Sequence, residues 1–472
     1  MKRRNFRFLV TILLVRLTTA FMKLIGLNAT HFPGQLALRF CPDFLARLEK
    51  PEKIIGITGT NGKTTTSNLI ADMAGYFGLD FAHNAYGSNI AEGVITTLLS
   101  ATTFWGKRRK PLAILELDER LTRLLFADIK PDYLLVTNLF RESYLRNAHG
   151  EFIYGILDEH IPDTTRLILN ADDLLSSNLG RGRQAAYFSI DRLSDEPQFT
   201  HNQIRDVVLC PSCKQLLTYD FIRYHHIGQA HCEHCRWQNP APDYRLTNLL
   251  RDKAEESSGP AFIVRSQHWP EGEVAFPFKG ENILDLYNAL AAVSLFAELG
   301  YSAADIKAAL NQADIGLSRK EVEQVGPYTI YRMLSKGKNP IAVTRVIDSL
   351  VRKPGDKYII LLVDTSVEKM SAEDNISWIF DADLSLLKTE EVRQVIVGGM
   401  RSEDLRLALL YAGVPAEKIR TCRNKADSSG LLQLSGNHAT IGVLYGLYSE
   451  KVSRKIYADI KQQVEEAEIN AD

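Results

Sequence analysis

Residues that could bind a nucleotide phosphate lie together in residues 56–66, which read GITGTNGKTTT. Glycines would let the backbone approach phosphate oxygens, and the N–H groups that open a following helix would face the anion. Lys63 would supply a cation, and the Thr64 hydroxyl would bind Mg²⁺. This pattern predicts a loop that binds the phosphates of a nucleotide. Its candidate residues are Gly59, Thr60, Asn61, Gly62, Lys63, Thr64 and Thr65.

The loop lies between a predicted strand and a predicted helix, which is the context that a phosphate site requires. Lys53-Ile54-Ile55 indicates the end of a strand, and the apolar spacing of residues 67–73 indicates a helix. The pattern G-x-x-x-x-G-K-[ST] fails at its first glycine, where Ile57 stands. The alternative is an ordinary glycine-rich turn, and the strand-to-helix context favours the phosphate loop over it.

Polar residues end three further predicted strands. Glu116 lies within the apolar run 111–119, Asn138 ends a strand at 133–138, and a strand at 164–169 runs into residues 170–173. Ligands of open parallel α/β sheets lie at the carboxyl ends of strands, so Glu116 is predicted to reach the Mg²⁺ held by Thr64. The alternative for Glu116 is a solvated acid. The alternation of strands with helical stretches predicts a nucleotide-binding α/β domain.

Four of the six cysteines form a pattern typical of zinc. Two C-x-x-C motifs are separated by eighteen residues, within the spacing known for tetrahedral sites with four cysteine ligands. With four thiolates and no open position, the zinc would be structural. Redox dithiols are the alternative. The nearby histidines are predicted to be surface residues, although one could replace a cysteine as ligand. The predicted ligands are Cys210, Cys213, Cys232 and Cys235, and the histidines are His225, His226, His231 and His234.

Size and charge limit the classes of function. At 472 residues the chain is long enough for about three domains. Fifty-six basic and fifty-seven acidic residues create no overall field that would favour a nucleic acid partner. The zinc segment itself carries few basic residues, Lys214 and Arg223, which also argues against nucleic acid. Cys41 and Cys422 stand apart from the pattern and are interpreted as buried thiols in a reducing compartment.

The N-terminal region is basic and then apolar. Residues 1–4 read MKRR, and the apolar run 8–15 ends at Arg16, far short of the roughly twenty residues that span a bilayer. Arg16 and Lys23 recur at a period compatible with one polar face. An amphipathic helix that packs on the body is therefore expected, with contact to a membrane surface as the alternative. The expected location is cytoplasmic, with association at the inner membrane face possible on this second interpretation.

Motifs in a fixed order carry a resemblance to a known superfamily. The loop, Glu116-Leu117-Asp118-Glu119, residues 137–141 (TNLFR) and residues 169–173 (LNADD) resemble the Mur ligases and folylpolyglutamate synthases. The cysteine insertion, residues 287–290 (YNAL), residues 338–340 (KNP) and residues 377–381 (SWIFD) resemble one branch, the ligase-like subunits that work with a separate glutaminase. The resemblance covers nearly the whole chain.

The resemblance implies a fold with three parts. The first is an N-terminal helical segment at 1–50. The second is a central ATP-binding domain at 51–317, which is Mur ligase-like and has a P-loop and a parallel sheet. An inserted four-cysteine zinc ribbon lies at about 205–240 of that domain, an estimate from the cysteine spacing. A C-terminal Rossmann-like α/β domain follows at 318–472.

The resemblance also implies an activity. It is ATP-dependent amidation of the D-glutamate α-carboxyl in the lipid II stem peptide, through an acyl phosphate, with ammonia from a glutaminase partner. In this family residues matching Asn288 and Arg319 contact ATP. Two alternatives stay open: a stand-alone ligase that adds an amino acid to a peptidoglycan precursor or folate, and a diverged ATP-binding regulatory subunit.

One acidic residue of the family is harder to place. Members carry an A-D-G-x-D-x-S-W type motif, whose acid is believed to complete the partner's Cys-His pair. Residues 371–378 here read SAEDNISW, so the strict position falls on Asn375. Asp374 is the nearest candidate for this catalytic role, with Glu373 and Asp364 as alternatives. An acid here could equally be a helix N-cap.

Overall fold

A computed structural model of the chain divides into two compact units. Described residues up to Ala313 belong to the first unit and those from Lys320 to the second. The proposed domain boundary at 317/318 falls between them, outside the described residues. The structure describes residues 4–27, 29–84, 89–141, 149–194, 196–199, 206–250, 259–280, 282–313, 320–335, 339–363, 376, 378–435 and 438–469.

The first unit is built on a large, mostly parallel sheet. Its strand order over the described residues is β11-β10-β9-β6-β5-β4-β1-β3-β2. Pairing is parallel from β2 through β9, and β10 and β11 are added antiparallel. The buried apolar runs of the central strands, such as LAILE, fit a sheet that is covered on both faces. The strands are β1 Lys53–Thr58, β2 Phe81–His83, β3 Leu112–Glu116, β4 Tyr133–Val136, β5 Arg166–Asn170, β6 Ala185–Ile190, β9 Tyr244–Leu250, β10 Ala261–Arg265 and β11 Glu273–Pro277.

Helices connect these parallel strands and cover the sheet. The helical stretch expected before β1 is broken at Cys41, because Pro42 disfavours helical backbone angles in the residue before it. The helices are α1 Phe6–Leu24, α2 Phe32–Phe40, α3 Phe44–Arg47, α4 Lys63–Tyr76, α5 Ala91–Ser100, α6 Thr122–Leu125, α7 Gly150–His160, α8 Leu174–Asn178, α9 Ile283–Glu298 and α10 Ala303–Gln312.

A small hairpin is inserted between β6 and β9. Its strands, β7 Thr218–Tyr224 and β8 Ile227–His231, pair antiparallel and carry the cysteine motifs at their outer ends. The antiparallel extension β9–β11 that follows was not predicted. Residues 276–277 end β11, which pairs with β10.

The second unit contains a separate sheet, ordered β12-β13-β17-β14-β15-β16 over the described residues. The predicted parallel pairing holds from β13 to β16, but β12 and β13 form an antiparallel hairpin around Gly326. The elements are β12 Lys320–Val325, β13 Tyr328–Leu334, α11 Pro340–Val351, β14 Asp356–Leu362, α12 Trp378–Asp381, β15 Val392–Gly398, α13 Ser402–Tyr411, β16 Ile419–Cys422, β17 Ala439–Tyr445 and α14 Glu450–Ile469.

Helix α1 packs on the first unit through one face. Phe8, Ile12 and Val15 are fully buried in the core that also contains Phe44 and Leu98. The expected packing of this segment on the body is therefore confirmed. In the part of the chain that the structure describes, no helix is both long enough and apolar enough to cross a membrane.

Candidate functional site

The loop between β1 and α4 requires glycine at two positions. Gly59 has φ +126°, and an added Cβ would lie 2.2 Å from the Thr137 hydroxyl oxygen. Gly62 has φ +86°, and an added Cβ would lie 2.3 Å from Oδ1 of Asn288. L-residues other than glycine rarely adopt such angles. The backbone shape and the close approach of β4 and α9 therefore both select these glycines.

Residues after β4 hold the loop in place. Asn138 Oδ1 accepts a hydrogen bond from the N–H of Asn61 (2.9 Å), and its Nδ2 donates to the Asn61 carbonyl (3.0 Å). The Asn138 carbonyl accepts from the N–H of Thr60 (2.7 Å). The Thr137 hydroxyl donates to the same Asn61 carbonyl (2.7 Å). Asn138, predicted as a nucleotide-binding residue, is thus placed to position the loop, and Thr137 was missed.

Helix α4 directs its first turn at this loop. It begins at Lys63, directly after Gly62, and the N–H of Thr66 is the first to bond within the turn. The N–H groups of the preceding residues have no intrahelical acceptor, and the helix dipole favours an anion there. This is the arrangement that binds a phosphate.

Lys63 has an acidic partner that the sequence did not single out. Its Nζ lies 2.9 Å from Oε1 of Glu119 and also donates to the Gly59 carbonyl. Both side chains are largely buried, with 12% and 6% of their surfaces exposed. Glu119 holds the ammonium beside the loop, where an incoming phosphate oxygen would compete for it. The acidic motif at 116–119 was the signal that could have identified Glu119.

Thr64 and Glu116 lie together, as predicted for a Mg²⁺ site. The Thr64 hydroxyl oxygen is 3.2 Å from Oε1 of Glu116. Asn89 Nδ2 donates to the same Oε1 (3.1 Å), and the Asn84 side chain bonds to the Glu116 backbone. Two oxygen ligands at adjacent octahedral positions around Mg²⁺ lie about 2.9 Å apart, so this oxygen pair fits the ion. The asparagines were missed, although residues 83–89, HNAYGSN, contain both and are rich in turn-forming residues.

Asn288 on α9 contacts the loop at Gly62 and Thr66. Its Oδ1 accepts a hydrogen bond from the Thr66 hydroxyl (3.1 Å), and it is buried against Gly62. Asn288 lies more than two hundred positions after the loop in the sequence, and the fold brings the two into contact. Its direct contact with ATP stays a prediction. The candidates Arg319, Asp364, Glu373 and Asp374 lie outside the described residues.

Replacement of Gly59 by alanine is expected to abolish nucleotide binding. The methyl group would clash with Thr137 and would also disfavour the positive φ, so the loop would have to move. Gly75→Ala is the matched control, because it lies inside α4 with nothing within 4 Å of the added methyl. We expect the control to bind an ATP analogue normally and to gain up to about 1 kcal/mol of stability. Calorimetric titration of both variants checks this, and normal binding by Gly59→Ala would contradict it.

The four predicted zinc ligands converge. All four sulfur atoms lie within 4.8 Å of one another, with Sγ–Sγ distances of 3.6 Å (Cys210–Cys235) and 3.5 Å (Cys213–Cys232). Tetrahedral Zn–S bonds place sulfurs about 3.8 Å apart, so the donor set fits zinc. The two turns repeat the same backbone hydrogen bonds, and Lys214 and Arg236 have equivalent positive φ values. Such repetition is typical of a pair of metal-binding knuckles, and a closed set of four thiolates would give a bound ion a structural role.

Arg223 joins the ribbon hairpin to the nucleotide-binding unit. It forms a bidentate pair with Glu196 (2.7 and 2.8 Å) and lies 3.7 Å from Asp172 at the end of β5. It also donates to the hydroxyl of Tyr287, which in turn donates to Asp172 (2.6 Å). Burial raises the pKa of Asp172 to about 6, and Arg223 opposes that rise. Because Tyr287 precedes Asn288 on α9, the ribbon and the loop share one supporting helix.

Two ribbon histidines are buried, which corrects the prediction that they are surface residues. His226 is fully buried and lies 2.8 Å from Asp173, and His225 lies 3.0 Å from Asp206. Burial alone would lower the pKa of His226, but the nearby carboxylates of Asp173 and Asp206 raise it to about 9. Asp173 also accepts from the N–H of Leu139 (2.6 Å). Histidine was predicted at the surface from its polarity, and acidic partners distant in sequence allow its burial.

The stability of the first unit should fall from pH 6.5 to pH 9 because of His226. Its folded pKa lies above the unfolded value, so the contribution is full below pH 6.5 and is lost as pH rises through about 9. The buried pair would contribute on the order of 3 kcal/mol. His226→Gln should flatten this dependence, and His268→Gln, at a half-exposed histidine, should not. Urea unfolding across this range is the measurement. An equal slope in wild type and His226→Gln would contradict the prediction.

The chain is similar to several characterised proteins. The family model described as MurT ligase C-terminal matches residues 337–445. The lipid II isoglutaminyl synthase (glutamine-hydrolyzing) subunit MurT of Streptococcus pneumoniae is 29% identical over 401 residues, 84% of this chain and 85% of that protein. The subunit of the same name from Staphylococcus aureus is 29% identical over 85% of this chain and 87% of its own length.

Solved structures show the same fold at lower identity. A pseudomurein peptide ligase type C from Methanothermus fervidus aligns with a TM-score of 0.66 and 20% identity, covering 89% of this chain and 81% of its own. MurF from Acinetobacter baumannii aligns with a TM-score of 0.60 and 16% identity, covering 91% and 80%. These likenesses concern the fold alone.

Proposed function

Because the chain belongs to the Mur ligase superfamily, in its MurT branch, we propose that it is the ATP-dependent subunit that amidates lipid II. The substrate group is the D-glutamate α-carboxyl of the stem peptide, and the product is the D-isoglutamine amide. One observation carries the proposal: similarity to a MurT subunit extends over 84% of the chain. The loop that would bind ATP is held in place by Asn138 in the structure. The expected site of action is the cytoplasmic face of the membrane, where ATP and lipid II meet.

The reaction proceeds in two balanced steps. A carboxylate oxygen attacks the γ-phosphorus of ATP, which forms an acyl phosphate and releases ADP. Ammonia then attacks the carbonyl carbon, the C–O bond to phosphate breaks, and the proton that the nitrogen loses leaves with inorganic phosphate. Lys63 and the N-terminus of α4 stabilise negative charge on the phosphoryl oxygens. Thr64 and Glu116 would hold a Mg²⁺ ion, which would supply further positive charge there. Asn138 and Asn288 keep the loop in the shape that this requires.

The ammonia must come from a second subunit under this proposal. Glutamine hydrolysis by an amidotransferase uses an activated cysteine. Four cysteines form the ribbon site, and Cys41 is buried beside Asp43. Cys422 contacts the Ser428 hydroxyl, and burial raises the pKa of its thiol. These surroundings are unlike those of a low-pKa nucleophile. A glutaminase partner fits, and Asp374, Glu373 or Asp364 remains the proposed acid that completes its Cys-His pair.

The test is reconstitution with lipid II, ATP and Mg²⁺. The chain with its glutaminase partner should convert lipid II to the amide with glutamine, as read by product mass. The chain alone should do so only with ammonium at alkaline pH, because ammonia replaces the partner's product. Addition of an amino acid would instead show a stand-alone ligase. ATP binding without phosphate release in the complete complex would show a regulatory subunit. Amidation by the isolated chain with glutamine would overturn the partner assignment.

A further inference from the structure

Helix α1 is apolar on two opposite faces. One face packs on the core, whereas side chains at positions i, i+4, i+7 and i+11 of the other face are exposed to solvent. The exposed fraction is 81% for Phe6 and 59% for Leu17. A stripe of six exposed apolar side chains is rarely left in water. This outer face consists of Phe6, Val10, Leu13, Leu17, Phe21 and Leu24.

A basic aromatic loop contacts α1 from its inner side. Arg16 of α1 donates to the carbonyls of Leu99, Thr102 and Thr103, which anchors the loop formed by residues 103–110. The loop reads TFWGKRRK, and its two aromatic residues are about half-exposed. Its Gly106 packs directly over Ile12 on the inner face of α1. The loop is therefore fixed to the helix, with its two aromatic side chains and Lys107 exposed.

Charge on this surface is strongly one-sided. Residues 1–42 contain seven lysines and arginines and no acid, and residues 101–112 contain four basic residues and no acid. The whole chain has a formal net charge of only −1. Arg4, Arg108 and Lys110 pair with Glu49, Glu52 and Asp80. Lys23 and Lys107 are exposed and have no ion pair among the described residues, so positive charge exceeds negative charge around the helix and the loop. Basic residues that flank an apolar helix, with Trp and Phe beside it, are typical of binding to anionic membrane surfaces.

We propose that the outer face of α1 and the loop at 103–110 dock together on an anionic lipid bilayer. The inner face of α1 is held by the core, so the helix would lie in the plane of the interface and would not cross it. The outer face would enter the boundary of the acyl chains, Trp105 would lie at headgroup depth, and Lys23 and Lys107 would contact anionic headgroups. The surface is independent of the nucleotide site and goes beyond the proposed amidation.

Flotation of the full chain with lipid vesicles tests this docking. We expect flotation with vesicles of phosphatidylcholine and phosphatidylglycerol, weaker flotation with phosphatidylcholine alone, and loss at high salt. Leu13→Asp/Leu17→Asp should lower the partition coefficient at least about tenfold. The matched control is Leu407→Asp/Tyr411→Asp, which has the same spacing on an exposed helix of the second unit and should float normally. Lys23→Gln/Lys107→Gln should weaken binding and reduce its salt dependence.

A second readout separates docking from misfolding. The fluorescence of Trp105 should shift to shorter wavelength on vesicle addition, and Trp105→Phe should remove the shift while keeping flotation. Each variant should retain the wild-type melting temperature. Wild-type chain that fails to float on anionic vesicles, or Leu13→Asp/Leu17→Asp that floats like wild type, would overturn the proposal. So would a change from dimer to monomer on Leu13→Asp/Leu17→Asp substitution, because a second copy would then cover the face.

Discussion

Alanine at position 63 is expected to lower ATP-dependent amidation of lipid II by at least about a thousandfold. Lys63 is the cation of the loop, and its Nζ lies beside the N-terminus of α4, where the γ-phosphate would bind. Negative charge spreads over the phosphoryl oxygens in the transition state, so the loss should appear in kcat more than in the KM for ATP. Steady-state phosphate release by the complete complex is the measurement.

Substitution of Glu119, the acidic partner of Lys63, separates the loss of activity from the loss of stability. Lys63→Ala leaves the Glu119 carboxylate buried without its cation, and this would destabilise the protein by about 3–5 kcal/mol. Adding Glu119→Gln should restore the melting temperature but not the activity. Lys451→Ala, at an exposed lysine of α14, should change neither. If the double variant recovers activity together with stability, then Lys63 has no role in the chemistry.

Replacement of Cys235 by serine is expected to release zinc and to unfold the ribbon. Cys235 is exposed, so the substitution removes a metal ligand without making a cavity in the core. Structural zinc contributes about 10–16 kcal/mol of apparent binding free energy in small zinc domains, so loss of one thiolate should cost several kcal/mol. Metal analysis should give one zinc per wild-type chain and less than half in the variant. Cys422→Ser, at a cysteine outside the cluster, should retain the metal.

The loss of zinc should also weaken ATP binding at the nucleotide loop. His226 of the hairpin holds Asp173, which accepts from the N–H of Leu139, and the N–H of Phe140 donates to the Thr60 hydroxyl of the loop. Loosening this series of contacts should weaken ATP binding about tenfold, a coupling of ordinary size. Limited proteolysis at residues 206–239, measured with calorimetric ATP titration, checks both effects. Intact ribbon and normal ATP affinity after complete chelation of zinc would contradict a structural role for the ion.

The sequence alone was sufficient for features that consecutive residues create. The phosphate loop, the two C-x-x-C motifs and the alternation of strands with helices are local patterns, because the residues that act together are neighbours in the chain. They predicted the convergence of the four cysteines and a Mur ligase-like fold, which the structure and its structural relatives confirm. The structure also places Thr64 beside Glu116, and their binding of Mg²⁺ stays a prediction. The N-terminal helix and its packing on the body followed from the same kind of local periodicity.

The tertiary structure decided which distant residues support the loop. Glu119 lies 56 positions from Lys63, Asn138 lies 77 positions from Asn61, and Asn288 lies 222 positions from Thr66. The order of strands brings these side chains to one edge of the sheet, and no local pattern records that order. For the same reason, the prediction that His226 lies at the surface was wrong. Its burial depends on Asp173, which follows strand β5 and is distant in the sequence. A charged group enters a protein core only where the fold provides a partner, and partners of that kind are set by topology.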